Sequence, residues 1–262
     1  MSYPGSYGAE AQDLGEISYG SGMGQKLPLM LCLDTSGSMQ GAPVESLNEA
    51  LADWGAELRA DVQWKTTVQV AMVTFGAGGV RVWQGSEPFT PGSAVSPFVP
   101  ASEFYPPRLQ AGGVTLLTEA TELALRHVYA YKGWLKEQGL TYYRPLIFLL
   151  TDGIPTDETG HESQSWQRLV PYLESGRRDN GFEFYAIGVG NLTPQGQHVL
   201  STLVPGGFRI LGGFPFRTLL RLLSATIEKV VGGSGADAPL LTGAIGEPDP
   251  FDSVFGQFPA DE

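Results

Sequence analysis

Residues 144–157 read Arg144-Pro-Leu-Ile-Phe-Leu-Leu-Thr-Asp-Gly-Ile-Pro-Thr-Asp157. An apolar run, Leu146 to Leu150, stops at the polar triplet Thr151-Asp152-Gly153. A run this short, bounded by turn residues, reads as a strand buried on both faces. Its acidic residue stands at the carboxyl end. The arrangement occurs once before: Leu27 to Leu33 is apolar and ends in Asp34-Thr35-Ser36-Gly37-Ser38. Two buried strands that each deliver an Asp at the carboxyl end imply a parallel sheet, in which ligands gather at that edge.

The segments around these strands alternate between helix and strand signals. Pro43 suits a first helical position, and Val44, Leu47, Leu51, Trp54 and Leu58 follow it as one apolar stripe. Thr67 to Phe75 alternates with Val68, Val70 and Met72 on one face, Gly76 to Gly79 makes a turn, and Val80 to Trp83 returns as a hairpin. Residues 86–113 are Pro-rich and irregular. A connection of that length usually has a function or short structure of its own, and with Tyr105 it is a candidate rim for the site. Thr115 to about Glu137 is predicted as a long helix with Leu116, Ala120, Leu123, Ala124 and Val128 on one side. Further on come a helix over Ser165 to Gly176 that Pro171 interrupts, a strand over Phe182 to Val189 and a short helix over Thr193 to Leu203. Phe208 to Leu211 is a last strand, and Phe216 to Val231 a closing amphipathic helix.

The expected fold is α/β: a doubly wound, mostly parallel six-stranded sheet with one antiparallel edge strand and helices on both faces. It occupies residues 27–232. Residues 1–26, rich in Gly, Ser and Tyr, are expected to be a flexible arm, and residues 233–262 an acidic tail. The tail holds 6 of the 28 acidic residues and no Lys or Arg, with Phe251, Val254, Phe255 and Phe258 as a candidate docking segment.

Composition narrows the function. A net charge of −12 argues against nucleic-acid binding through a basic patch. No run of eighteen apolar residues exists, so no membrane helix is expected; nor does the N-terminus carry the basic and apolar regions of a signal peptide. The single cysteine, Cys32, excludes an internal disulfide and a multi-cysteine zinc site, and it sits in an apolar run as a small hydrophobe. A cytoplasmic home is the simplest reading. His127, His161 and His198 share no metal-ligand spacing, and Trp64, Trp83, Trp134 and Trp166 read as packing residues.

The two strand ends carry the chemistry of a hard cation. The hydroxyls of Ser36, Ser38 and Thr115 are neutral oxygen donors, and Asp34 and Asp152 bring negative charge, directly or through water. The alternation Ser36-Gly37-Ser38 lets both hydroxyls turn to one side. Mg²⁺ suits such donors, with Mn²⁺ and Ca²⁺ as alternatives. Neutral hydroxyls leave the ion electrophilic, ready for one more anionic oxygen from a partner's Asp or Glu.

Asp34-x-Ser36-x-Ser38, the later Gly113-x-Thr115 and the strand ending Thr151-Asp152-Gly153 together resemble the metal-ion-dependent adhesion site of von Willebrand factor type A (VWA) domains. The wider stretches Leu33–Met39 and Arg144–Asp157 resemble the bacterial tellurite-resistance (TerY-like) VWA proteins. The resemblance covers about residues 27–231. It implies a metal-dependent protein-binding adaptor rather than an enzyme, in a bacterial stress response, working near a kinase–phosphatase pair. The alternative it leaves is a VWA subunit that works with an AAA+ or chelatase-type ATPase. This chain departs from the pattern in one place: Val114 stands between Gly112-Gly113 and Thr115, which leaves Thr118 as a second candidate for the third hydroxyl. It also lacks the Cys residues of the zinc module that longer relatives carry.

Catalytic readings fit less well. An aspartic protease needs Gly where Ser36 stands, and an aspartyl-nucleophile phosphatase needs a second Asp at that place. A Walker lysine motif is missing, and no general base is evident beside the site, so a hydrolase is the remote alternative.

Overall fold

The computed structural model describes residues 24–92 and 96–232. The expectations for the arm up to residue 23 and for the acidic tail lie outside them. Among the described residues the first backbone pairing is that of Lys26, whose N–H donates to the Thr141 carbonyl at 2.9 Å.

The sheet is built on two nine-residue strands, β1 (Leu27–Thr35) and β2 (Val68–Gly76), in which every residue is buried. Strands covered on both faces read as continuous apolar runs because neither side meets water. Alternate residues of β1 enter different cores. Leu27, Leu29, Leu31 and Leu33 pack on one side, and Met30 and Cys32 on the other. The hairpin strand β3 (Gly79–Gln84) runs antiparallel to β2. Two-residue strands β4 (Glu87–Pro88) and β5 (Val99–Pro100) pair with β3 and β2. On the other side of β1 lie β6 (Leu146–Thr151), β7 (Glu183–Gly188) and β8 (Phe208–Ile210), all parallel. The order is β4-β3-β2-β1-β6-β7-β8, with β5 beside β2. The six strands of three or more residues are the expected ones. The two short additions both come from the Pro-rich stretch 86–113.

Helices α1 (Ala42–Ala60) and α6 (Phe216–Gly232) cover one face, and α1 buries the stripe Val44, Leu47, Leu51, Trp54 and Leu58. A single-turn helix, α2 (Trp64–Thr67), leads into β2. The other face is covered by α3 (Leu117–Glu137), α4 (Val170–Arg178) and α5 (Pro194–Leu203). Helix α3 starts at Leu117 and not Thr115, because the Thr115 backbone is bonded elsewhere. Pro171 does not interrupt a helix. It sits in the first turn of α4, where its missing N–H costs nothing, and residues Ser165–Leu169 before it form a 3₁₀ turn. Thr193 caps α5 by accepting the Gly196 N–H at 3.1 Å.

From β1 the chain winds outward through β2 and β3; from β6 it winds the opposite way through β7 and β8. The winding therefore reverses between β1 and β6. At such a reversal the loops diverge and leave a crevice at the carboxyl ends of the strands.

Candidate metal centre

Both Asp-bearing loops open into that crevice. Asp34 lies near the end of β1 and is 1% exposed. Its Oδ1 accepts the Ser36 backbone N–H at 2.8 Å, which closes the chain into a tight turn. Its Oδ2 accepts the Thr151 hydroxyl at 2.5 Å, so β6 holds the carboxylate of β1. The Ser36 and Ser38 hydroxyl oxygens are 3.0 Å apart. Ser38 donates to Asp152 Oδ1 at 2.7 Å, and because that uses its one proton, Ser36 is the donor in the Ser36–Ser38 bond. Asp34, Ser36, Ser38 and Asp152 thus form one chain of oxygens bridging the two loops.

Thr115 arrives by a third route. The Gly112 N–H donates to the Thr35 carbonyl at 2.8 Å, and the Gly37 N–H to the Gly113 carbonyl at 3.1 Å. These bonds lay residues 112–113 against the first loop. Gly113 has φ +72°, and a Cβ there would come within 2.5 Å of the Gly76 carbonyl oxygen, so only glycine passes. Thr115 is then clamped by Thr156: its N–H donates to Thr156 Oγ1 and its carbonyl accepts the Thr156 N–H, both at 2.9 Å. Its hydroxyl turns toward Gly153, where a Cβ would lie 3.3 Å from Thr115 Oγ1 and 4.0 Å from Asp34 Oδ2. Thr118, the second candidate, is 1% exposed and bonded to Ser165 Oγ at 3.0 Å. The fold brings Thr115 to the cluster and keeps Thr118 away.

The donor set is all oxygen, with two carboxylates close together. Burial pushes the Asp34 carboxyl up to about 6, against the hydrogen bonds from Ser36 and Thr151, and Asp152 adds a further rise. Asp152 also lies above the ordinary carboxylate range, raised by burial and opposed by the Ser38 bond. Ser38 is exposed and Asp152 half-exposed, so the cluster opens to solvent on that side.

The remaining expectations divide. Gly112 and Gly113 do reach the cluster, through backbone bonds to Thr35 and Gly37, but Tyr105 does not. Its ring lies 4.2 Å beneath Arg59, near the far end of α1, and α1 is about 28 Å long at about 1.5 Å per residue. Asp157 is used locally, accepting from Thr159 and the His161 N–H. Among the described residues no group of three or more His, Cys, Asp and Glu side chains is placed to hold a metal. Sequence reasoning assigned no role to Thr151, Gly153 or Thr156. Each lies in the quoted 144–157 stretch, so the signal was present but its meaning depended on which loops face each other.

Comparison with known proteins agrees with this architecture. The family model for the von Willebrand factor type A domain matches residues 29–203. The chain belongs to the VWA family. No curated protein matches this VWA chain. Among solved structures it is similar to the open pilus adhesin SpaC of Lactobacillus rhamnosus GG: 14% identity, TM-score 0.51, over 79% of this chain and 30% of SpaC. The VWA domain of the type V pilus tip protein Mfa5 of Porphyromonas gingivalis aligns at 10% identity and TM-score 0.48, over 78% of this chain and 95% of that one. Proximal thread matrix protein 1 of the mussel byssus, with a zinc-occupied metal site, aligns at 16% identity and TM-score 0.44, over 76% and 47%. At 14% identity the SpaC likeness shows the fold alone. This chain spans less than a third of SpaC. No described helix is long and apolar enough to cross a membrane.

Proposed function

We propose that Asp34, Ser36, Ser38, Thr115 and Asp152 hold a divalent cation, Mg²⁺ before Mn²⁺ or Ca²⁺, and that a protein partner's Asp or Glu completes its shell. The supporting observation is the spacing of the oxygens. Oxygens on adjacent corners of an Mg²⁺ octahedron, each at about 2.0–2.1 Å from the ion, lie about 2.9 Å apart. The Ser36–Ser38 and Ser38–Asp152 separations are 3.0 and 2.7 Å. The raised Asp34 carboxyl adds to this, since a buried carboxylate beside a second one lacks a counter-charge. The open side at Ser38 leaves room for an incoming oxygen.

In this reading the chain's own residues act by position. Thr151 fixes the Asp34 carboxylate, the Thr156 clamp fixes Thr115, and Gly153 keeps the space between them clear. The ion, when bound, supplies Lewis acidity toward the partner's carboxylate. Neither serine has a His or Lys beside it to take its proton, which favours recognition over catalysis. By sequence resemblance we assign the domain to the TerY-like group, as a cytoplasmic scaffold in a chemical-stress response. Gene neighbours test that assignment: a kinase–phosphatase pair supports it, and an ATPase redirects it to the motor-coupled alternative. The binding reading itself is tested by affinity capture in Mg²⁺ and in EDTA. Capture that is equal in both, and equal for Asp34→Ala, overturns it.

A further inference from the structure

Next to the carboxylate cluster, on the α1 side of the sheet, is a cavity of about 330 Å³ whose wall includes Thr35, Thr74, Arg81, Trp83, Arg108 and Gln110. Thr35 ties it to the metal centre, being the chain neighbour of Asp34 and Ser36. In a chain of net charge −12 this wall carries two arginines and no acidic residue. Arg108 pairs with Glu45 across the surface, with side chains 74% and 52% exposed, a pairing that solvent screens. Arg81 has no acidic partner among the described residues. Its guanidinium is folded back over the hairpin turn: a Cβ on Gly78, at φ +78°, would meet its Nη2 at 2.3 Å. Thr74 faces Arg81 across the β2–β3 ladder. It is 4% exposed and accepts the Trp83 Nε1–H at 2.9 Å, which leaves its own proton to donate, and no described residue takes it.

A guanidinium with no acidic partner among the described residues and a spare hydroxyl proton, facing one space in an otherwise acidic protein, make a carboxylate receptor. Arg presents a planar fork matched to the two oxygens of a carboxylate. We propose that this cavity takes a second Asp or Glu side chain of the same partner segment whose first acidic residue meets the cation. The proposal rests on the metal reading above and narrows the partner to an extended peptide with two acidic residues at a fixed spacing. Leu33 pairs with Thr74 and Thr74 with Arg81, so Arg81 lies two strands from β1, about 10 Å at about 4.8 Å per strand. An extended peptide covers that distance in about three residues.

The test is an NMR titration of the full chain with Gly/Ser peptides carrying one Asp, or two Asp separated by two, three or four positions. It is run in Mg²⁺ and in EDTA, with wild type and Arg81→Gln. A fifth peptide has phosphoserine in the second place. We expect the best-spaced two-Asp peptide to bind about fivefold more tightly than the one-Asp peptide. Arg81→Gln is expected to remove that gain, leave the one-Asp affinity unchanged and keep the spectrum folded. Two-Asp and one-Asp peptides that bind alike in a Mg²⁺-dependent way overturn this proposal and leave the metal reading standing. A gain that depends on Arg81 but survives EDTA overturns the metal reading and supports the cavity. A gain untouched by Arg81→Gln, a gain seen with phosphoserine but not Asp, or no binding by any peptide overturns the cavity proposal.

Discussion

The two strand ends carry the same residue and treat it differently. Asp34 at the end of β1 is 1% exposed, with both oxygens engaged, one by the Ser36 backbone and one by Thr151. Asp152, just past β6, is half-exposed and bonded on one oxygen to the exposed Ser38. One carboxylate is a fixed charge inside the fold, and the other a movable charge at its surface. In the proposed metal reading the first carboxylate is the inner anchor of the cation, and the second meets it from the solvent side.

The largest expected effect tests the buried member. The folded-state Asp34 carboxyl, at about 6, is above its unfolded value, so folding favours the protonated form. Its contribution is complete below the unfolded carboxylate range and is lost as pH rises through about 6. In EDTA the melting temperature is expected to fall between pH 4.5 and 7.5, by the equivalent of roughly 2 kcal/mol. Mg²⁺ is expected to reduce the fall, and Asp34→Asn to flatten it. A flat wild-type profile in EDTA would remove the unpaired buried charge from the account.

Next comes the contrast itself. Asp34→Ala is expected to weaken Mg²⁺ binding, measured by calorimetry, about 100-fold, and Asp152→Ala about 10-fold. Equal losses would erase the distinction between them. Thr151→Val tests how the buried carboxylate is oriented. It deletes the hydroxyl that donates to Asp34 and accepts the Gly153 N–H, and leaves the ligands in place, so a loss of about 10-fold is expected, with little change for a partner that binds without metal. The smallest effect belongs to Gly153→Ala. Its Cβ would sit 3.3 Å from Thr115 Oγ1, so the loop must give slightly, and a loss of about two- to fivefold in Mg²⁺ affinity is expected. Affinity unchanged from wild type would show that Thr115 has room to move.

The fold was legible because its signals are local. The apolar runs of β1 and β6 and the α1 stripe come from periods of two and 3.6 residues that neighbouring positions establish by themselves. The cluster was legible in part, since Asp34, Ser36, Ser38 and Asp152 stand in compact motifs. Thr151 and Thr156 act through bonds to Asp34 and Thr115, 117 and 41 residues away, and no local pattern encodes such pairings. The start of α3 was misjudged for the same reason: the Thr156 clamp takes the backbone that helix propensity would have given to the helix. Tyr105 was offered as a rim residue from its place in the loop. The loop instead runs first to the far end of α1 and then returns.

The reversal of winding between β1 and β6 has a consequence in time. Ser38 and Asp152 meet across 114 positions of chain, and the strand that delivers Asp152 pairs with one laid down more than a hundred residues earlier. During synthesis the first loop leaves the ribosome long before its counterpart exists. A nascent chain therefore carries the two serines through 114 further residues before the oxygen cluster can be completed. The cluster assembles only when β6 pairs with β1 and the sheet closes around its middle.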